Sequence, residues 1–339
     1  MPRNDAIALL ISAAVVAALS GGPALAQASA EQSAAPEPYQ HEVGWLKAPE
    51  GRKMGQSINV DMDRDRKSVW VYDRCGRADC IGSKLDPIQK FDSSGNLLAS
   101  FGAGMFNHPH GLYVDAQDNV WVTDDHGDGG RGHQVFKFSP QGKVLLTLGQ
   151  AGIAGTGPDT FNAPTDVMVA PNGDIFVSDG HGGETNARIM KFAKDGKFIK
   201  TWGKKGAGPG EFNIPHSLAL DAAGRLFVAD RGNNRIQIFD QDGGFIAQWK
   251  QFGRPSGLFI DRDGLIYSTD SESDAAGNPG FRRGVTIGSA KDGKVTAFIP
   301  EPTPATEGRD GGESVAVDET GHVYVGMNST RTVERYAKR

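Results

Sequence analysis

The chain has little cysteine, no basic block and almost no long apolar run. Two cysteines occur among its 339 residues, Cys75 and Cys80, both in one Gly-containing loop. A scaffold held by many disulfides is thereby excluded, and no second pair completes a cysteine-rich metal site. A formal net charge of −5 and a pI near 5.9 leave no footprint for a polyanion, so nucleic acid is excluded as a partner. The one sustained apolar run covers residues 6–19, short of the roughly 20 residues that cross a bilayer. Beyond it helical periodicity is nowhere sustained, which argues against a helical bundle.

That run follows Arg3 and ends in a small-x-small pattern at Ala24, Leu25 and Ala26, with a second such pattern at Ala28, Ser29 and Ala30. It has the form of a signal peptide over 1–26, with an uncleaved anchor as the alternative. Residues 27–40 read as a flexible leader and 41–339 as one folded body. The expected location is periplasmic or secreted, with no stable membrane span after signal cleavage. In such an oxidising compartment Cys75 and Cys80 are expected to form a disulfide.

What the chain does have is repetition. A polar residue, a short apolar strand, a tight turn and a second apolar strand return six times, with Asp closing the first strand in five copies and the second strand in five, and Gly in the turn of four. The copies begin at Gln56, His110, Thr165, His216, Ser256 and Glu313, so the starts are 54, 55, 51, 40 and 57 residues apart. That length holds four strands per copy, with turn signals such as Pro140, Gln141 and Gly142 between the third and fourth. Six four-stranded units predict an all-β, six-bladed β-propeller, a radial plan that leaves only short edges. The last copy stops one strand short, and the apolar segment 43–46 is the spare strand expected to complete it and close the ring. A solenoid is the alternative, but no terminal caps are visible.

The first strand of each blade lines a propeller's channel, so the six starting residues form a ring. Its even-numbered blades supply His110, His216 and Glu313. Two imidazoles and a carboxylate suit a zinc site with an open position, or a looser ferrous-type triad; the alternative is that each His only caps its strand. The second strand returns to the same face and brings Arg74 and Arg231 there, where they could fork a substrate carboxylate or pair with neighbouring Asp residues. His181, at the same level in the third blade, suits a general base or polar clamp, or a surface position. His108, His126, His133 and His322 read as loop residues.

These residues carry a resemblance. Over roughly 43–336 the chain resembles the NHL-repeat propellers and, among them, the peptidyl-α-hydroxyglycine α-amidating lyases, most specifically at 108–112, 163–166, 214–218 and 228–232. The resemblance implies a zinc ion held by three channel histidines, of which two match His110 and His216 while the third falls on Glu313. It carries the family's substrate-binding arginines to Arg74 and Arg231, and its active-site tyrosine to His181. The family's channel calcium is bound partly through an Asp whose position is Ser314 here, and partly through a carbonyl matching that of Leu112. The implied reaction is cleavage of a carbinolamide to an amide and glyoxylate, with a carboxylate-bearing small molecule or peptide as substrate. Competing readings are a non-catalytic NHL scaffold that binds a protein, peptide or glycan, and a metal-dependent lactonase-type hydrolase.

Overall fold

The computed structural model describes residues 22–302 and 311–339. After helix α1 (Gly22–Ala34) and strand β1 (Tyr39–Glu42) come six sheets. Blade one is β2 (Ser57–Met62), β3 (Val69–Asp73), β4 (Ile88–Phe91) and β5 (Leu97–Phe101). Blade two is β6 (Pro109–Val114), β7 (Val120–Asp124), β8 (Gln134–Phe138) and β9 (Val144–Leu148). Blade three is β10 (Pro164–Val169), β11 (Ile175–Asp179), β12 (Arg188–Phe192) and β13 (Phe198–Trp202). Blade four is β14 (Pro215–Leu220), β15 (Leu226–Asp230), β16 (Arg235–Phe239) and β17 (Phe245–Trp249). Blade five is β18 (Pro255–Ile260), β19 (Leu265–Asp270), β20 (Gly284–Ser289) and β21 (Val295–Pro300). Blade six is β22 (Gly312–Val317), β23 (Val323–Met327) and β24 (Thr332–Lys338), with β1 as its outer strand.

Each sheet is an antiparallel meander, and its second strand is buried on both faces because a blade packs against two neighbours. That is why β3, β7 and β11 read as near-continuous apolar runs instead of alternating ones. The fourth strands, such as β9 and β13, face solvent over much of their length. One apolar cluster fills each junction between adjacent blades. Trp70 and Tyr72 of blade one meet Val114 and Phe138 of blade two, and the junction of blades six and one joins Tyr324 and Val333 to Val69 and Phe91. Burying an apolar side chain of this size stabilises by about 1.5–3 kcal/mol, so the six junctions hold the ring.

The closing strand is β1, a few residues ahead of the segment expected from sequence. Tyr39 pairs with Lys338 and Glu42 with Arg335. Residues 43–46 instead turn away at Gly44, whose φ of +75° breaks an extended run. Trp45 is apolar because it plugs the junction of blades six and one, 4.8 Å from Tyr324 in a T-shaped contact. The leader also departs from expectation. Its Ala-rich first part forms α1, which docks on blade five: Gln32 is fully buried, its Nε2 donates to Thr286 Oγ1 at 3.0 Å, and its Oε1 accepts from the Arg282 N–H at 2.8 Å. The signal-peptide reading falls mostly on residues 1–21, outside the described residues. No described helix is long and apolar enough to cross a membrane.

The strand-terminal Asp residues are struts. Asp124 accepts the N–H groups of Asn107 (2.9 Å) and His108 (2.6 Å), and Asp230 accepts that of Asn213 (2.7 Å). They fix the loops that lead into β6 and β14. Asp73, Asp179 and Asp270 do the same in their blades, while Met327 occupies the place in blade six.

Candidate functional site

The second residue of each inner strand and the first residue after each second strand gather at one end of the channel. The first set is Ile58, His110, Thr165, His216, Ser256 and Glu313. The expected member Gln56 is displaced: Ser57 pairs with Asp73 as Pro109 pairs with Asp124, which puts Ile58 in register with His110. The second set is Arg74, Asp125, Gly180, Arg231, Ser271 and Asn328, with His181 one residue further on.

His110 and His216 are held alike. The Nδ1–H of His110 donates to the Thr165 carbonyl at 2.7 Å and that of His216 to the Ser256 carbonyl at 2.8 Å, each across a blade junction. Gly111 permits the first approach, since a Cβ there would lie 2.6 Å from the Thr165 oxygen. These bonds fix the tautomer and leave both Nε2 atoms to the channel. His216 Nε2 is buried with no hydrogen-bond partner. Burial, with His181 beside His110 and Arg231 beside His216, holds both imidazoles well below their ordinary pKa, so they are neutral donors. Ile214, two residues before His216, has φ +64°, a strained value for a β-branched residue that the surrounding blade enforces.

His181 joins them. Ring centroids are 4.7 Å apart for His110 and His181, 4.7 Å for His110 and His216, and 5.3 Å for His181 and His216. The three offer ligand atoms within 4.8 Å of one another. Glu313, expected as the third ligand, approaches from the other side, its Oε2 3.7 Å from His216 Nε2, while Asn328 Nδ2 donates to its Oε1 at 2.8 Å. Two donors on one tetrahedral zinc lie about 3.4 Å apart, close to the 3.7 Å between His216 and Glu313, while the three residues whose ligand atoms all lie near one another are His110, His181 and His216. His181 has other engagements. Its Nδ1 lies 3.2 Å from Asp125 Oδ2, and Arg231 Nη2 donates to its Nε2 at 3.2 Å.

The two arginines are buried and already occupied. Arg231 Nη1 is 3.1 Å from Glu272 and 3.6 Å from Glu313, carboxylates of blades five and six; the alternative reading from sequence had it pair with a neighbouring Asp. The Glu272 carboxyl titrates low because the Arg231 and Arg254 cations outweigh its burial. Arg74 gives Nε to the Pro109 carbonyl (3.0 Å) and Nη1 to Gln56 Oε1 (2.7 Å). Cys75 and Cys80 are bonded in the adjoining loop. At the other ends of the inner strands a second opening is lined by Leu112, Ser314, Asp61 and Asp166 and holds no histidine.

Sequence reasoning missed Asp125, Glu272 and Asn328. Asp125 is fully buried at the centre of the site and could have been found as the residue in register with Arg74 and Arg231. Its Oδ1 meets His108 and His126, so these two histidines are part of the channel mouth.

The NHL repeat model matches residues 106–138 and 212–239. The human NHL repeat-containing protein 3 is 37% identical over 205 residues, 59% of this chain and 56% of that protein. The peptidyl-alpha-hydroxyglycine alpha-amidating lyase 1 of Drosophila melanogaster is 42% identical over 157 residues, 43% of this chain and 27% of the lyase. The chain thus spans about half the length of the first relative and less of the second. A solved gluconolactonase structure from Xanthomonas campestris shares the fold with TM-score 0.59 at 18% identity, covering 89% of this chain and 95% of that one.

Proposed function

The chain is an NHL-repeat six-bladed β-propeller that resembles the peptidyl-α-hydroxyglycine α-amidating lyases, and from that premise we propose that it is a periplasmic or secreted lyase cleaving a carbinolamide. The observation that carries the proposal is His216 Nε2, buried without a hydrogen-bond partner, with the His110 ring 4.7 Å from the His216 ring and held through its own Nδ1.

His110, His216 and Glu313 would hold a zinc or another divalent transition ion. When bound, such an ion supplies Lewis acidity to the substrate hydroxyl, somewhat weakened by an anionic ligand. His181 is assigned as the base because the Arg231 cation on its Nε2 opposes a second cation on that nitrogen. Asp125 Oδ2 lies 3.2 Å from the His181 Nδ1, and Nε2 takes the hydroxyl proton once substrate displaces the guanidinium contact. The carbon–nitrogen bond then breaks, the carbinol carbon becomes the aldehyde of glyoxylate, and the nitrogen takes a proton to leave as the amide. Arg74 and Arg231 would bind the substrate carboxylate, Arg231 sharing its charge with Glu272. Calcium is left out of the proposal because Ser314 lacks the carboxylate that the resemblance calls for.

A second reading, a lactonase-type hydrolase, gains from Asp125, Glu272 and Asn328, which make the mouth more acidic and amide-rich than the inner-strand ring alone. Glyoxylate release from an N-acyl-α-hydroxyglycine tests the first reading. Its loss in His216→Ala supports the proposal, and unchanged turnover sinks it. Lactone opening without glyoxylate release selects the second reading.

A further inference from the structure

Asp125 uses its two carboxylate oxygens on two different groups of histidines. Oδ2 faces His181, while Oδ1 lies 2.9 Å from Nδ1 of His126 and in closer contact with Nδ1 of His108. The two Nδ1 atoms are themselves only 3.1 Å apart. Two imidazoles that turn the same nitrogen toward each other and toward one oxygen are awkward as a purely hydrogen-bonded group. If both nitrogens carry protons, the N–H groups crowd each other; if only one does, the other nitrogen is left as a lone pair facing an anion. A cation removes the conflict. Three donors this close to one another can all reach one ion at the roughly 2.0–2.2 Å expected of nitrogen and oxygen ligands.

The surroundings support such a site. Asn107 Nδ2 donates to the carbonyls of Asp128 (2.8 Å) and Arg131 (3.0 Å), pinning the loop that carries His126. Asp124 fixes the backbone of His108 from the other side. Asp125 is fully buried, whereas the His126 side chain is 59% exposed, so the remaining coordination positions open to solvent. Two imidazoles and one carboxylate suit borderline divalent ions such as Zn²⁺, Co²⁺ or Fe²⁺.

We propose that His108, Asp125 and His126 bind a second divalent transition metal at the channel mouth, with Asp125 both a ligand there and the positioning partner of His181 below. The proposal is independent of the lyase reading. Its open positions would take water or a substrate carboxylate, beside Arg74.

The test is metal stoichiometry on full-length protein stripped with chelator, titrated calorimetrically with Co²⁺ or Zn²⁺ and then measured by elemental analysis. Wild type should bind two ions per chain, and His126→Ala and His216→Ala one each, with circular dichroism confirming that the variants fold. His126 is exposed, so its replacement leaves the core untouched. Wild-type stoichiometry in both His126→Ala and His108→Ala would overturn the proposal, as would a single wild-type ion lost only in His216→Ala. A single ion lost only in His126→Ala would uphold the mouth site and overturn the deeper one.

Discussion

His181 can be a base or a metal ligand, and the contact of the Arg231 cation with its Nε2 favours the base. Replacing it with Ala removes the group that takes the hydroxyl proton while leaving His110, His216 and Glu313 in place. General bases contribute about 10²–10⁴-fold, which at 1.36 kcal/mol per decade is roughly 2.7–5.4 kcal/mol of transition-state stabilisation. The expected result is a kcat for glyoxylate release lowered by that factor, with KM changed far less and the deep metal retained. His181→Tyr should recover part of the rate with an activity profile moved to higher pH, because a tyrosine hydroxyl titrates near 10. The assay is stopped-time glyoxylate detection alongside elemental analysis of the same preparation. Loss of the deep metal in His181→Ala would refute the assignment and make His181 a ligand, and an unchanged kcat would refute any catalytic part for it.

Three further outcomes follow from the scaffold. Asp230→Ala leaves the nearly inaccessible Arg235 without the carboxylate 2.7 Å from its Nε, so urea unfolding should show a loss of about 3–5 kcal/mol, and a loss under about 1 kcal/mol would refute the strut. Asp166, buried in the second opening, has its carboxyl pushed up to about 7 by burial, against 3.8 when exposed. The folded state therefore holds the proton more tightly, and stability from this group is full below pH 4 and falls as pH rises through 7; Asp166→Asn should flatten that slope in unfolding curves taken across this range. Reduction of the Cys75–Cys80 bond, which closes a loop with a sequence separation of 5, should cost about 2 kcal/mol by the chain-entropy relation, measured by denaturation with and without dithiothreitol.

The inner and second strands were legible in the sequence because five of the six blades repeat a second-strand apolar run that ends in Asp, and that Asp is needed as a strut for the loop leading into the blade's inner strand. His110 and His216 stood out because each follows a Pro on a repeated frame. The closing strand was hidden: Tyr39, Gln40, His41 and Glu42 form a half-exposed edge with no apolar alternation, and the apolar residues just after them serve a blade junction instead. Asp125 was hidden differently. It follows Asp124, and two adjacent identical residues do opposite work, one bracing backbone and the other collecting imidazoles. Glu272 comes from blade five to meet Arg231 of blade four, a proximity created only by the ring. No local spacing encodes it.

The pairing of β1 with β24 sets an order of events. The chain must emerge nearly whole before residue 39 can find residue 338, so five blades can assemble by local meanders while the sixth waits for contacts of the greatest possible sequence separation. The junction of blades six and one is thus the seam of the molecule, the one expected to shut last on refolding. Trp45, seated in that seam, is a natural fluorescent reporter of its state.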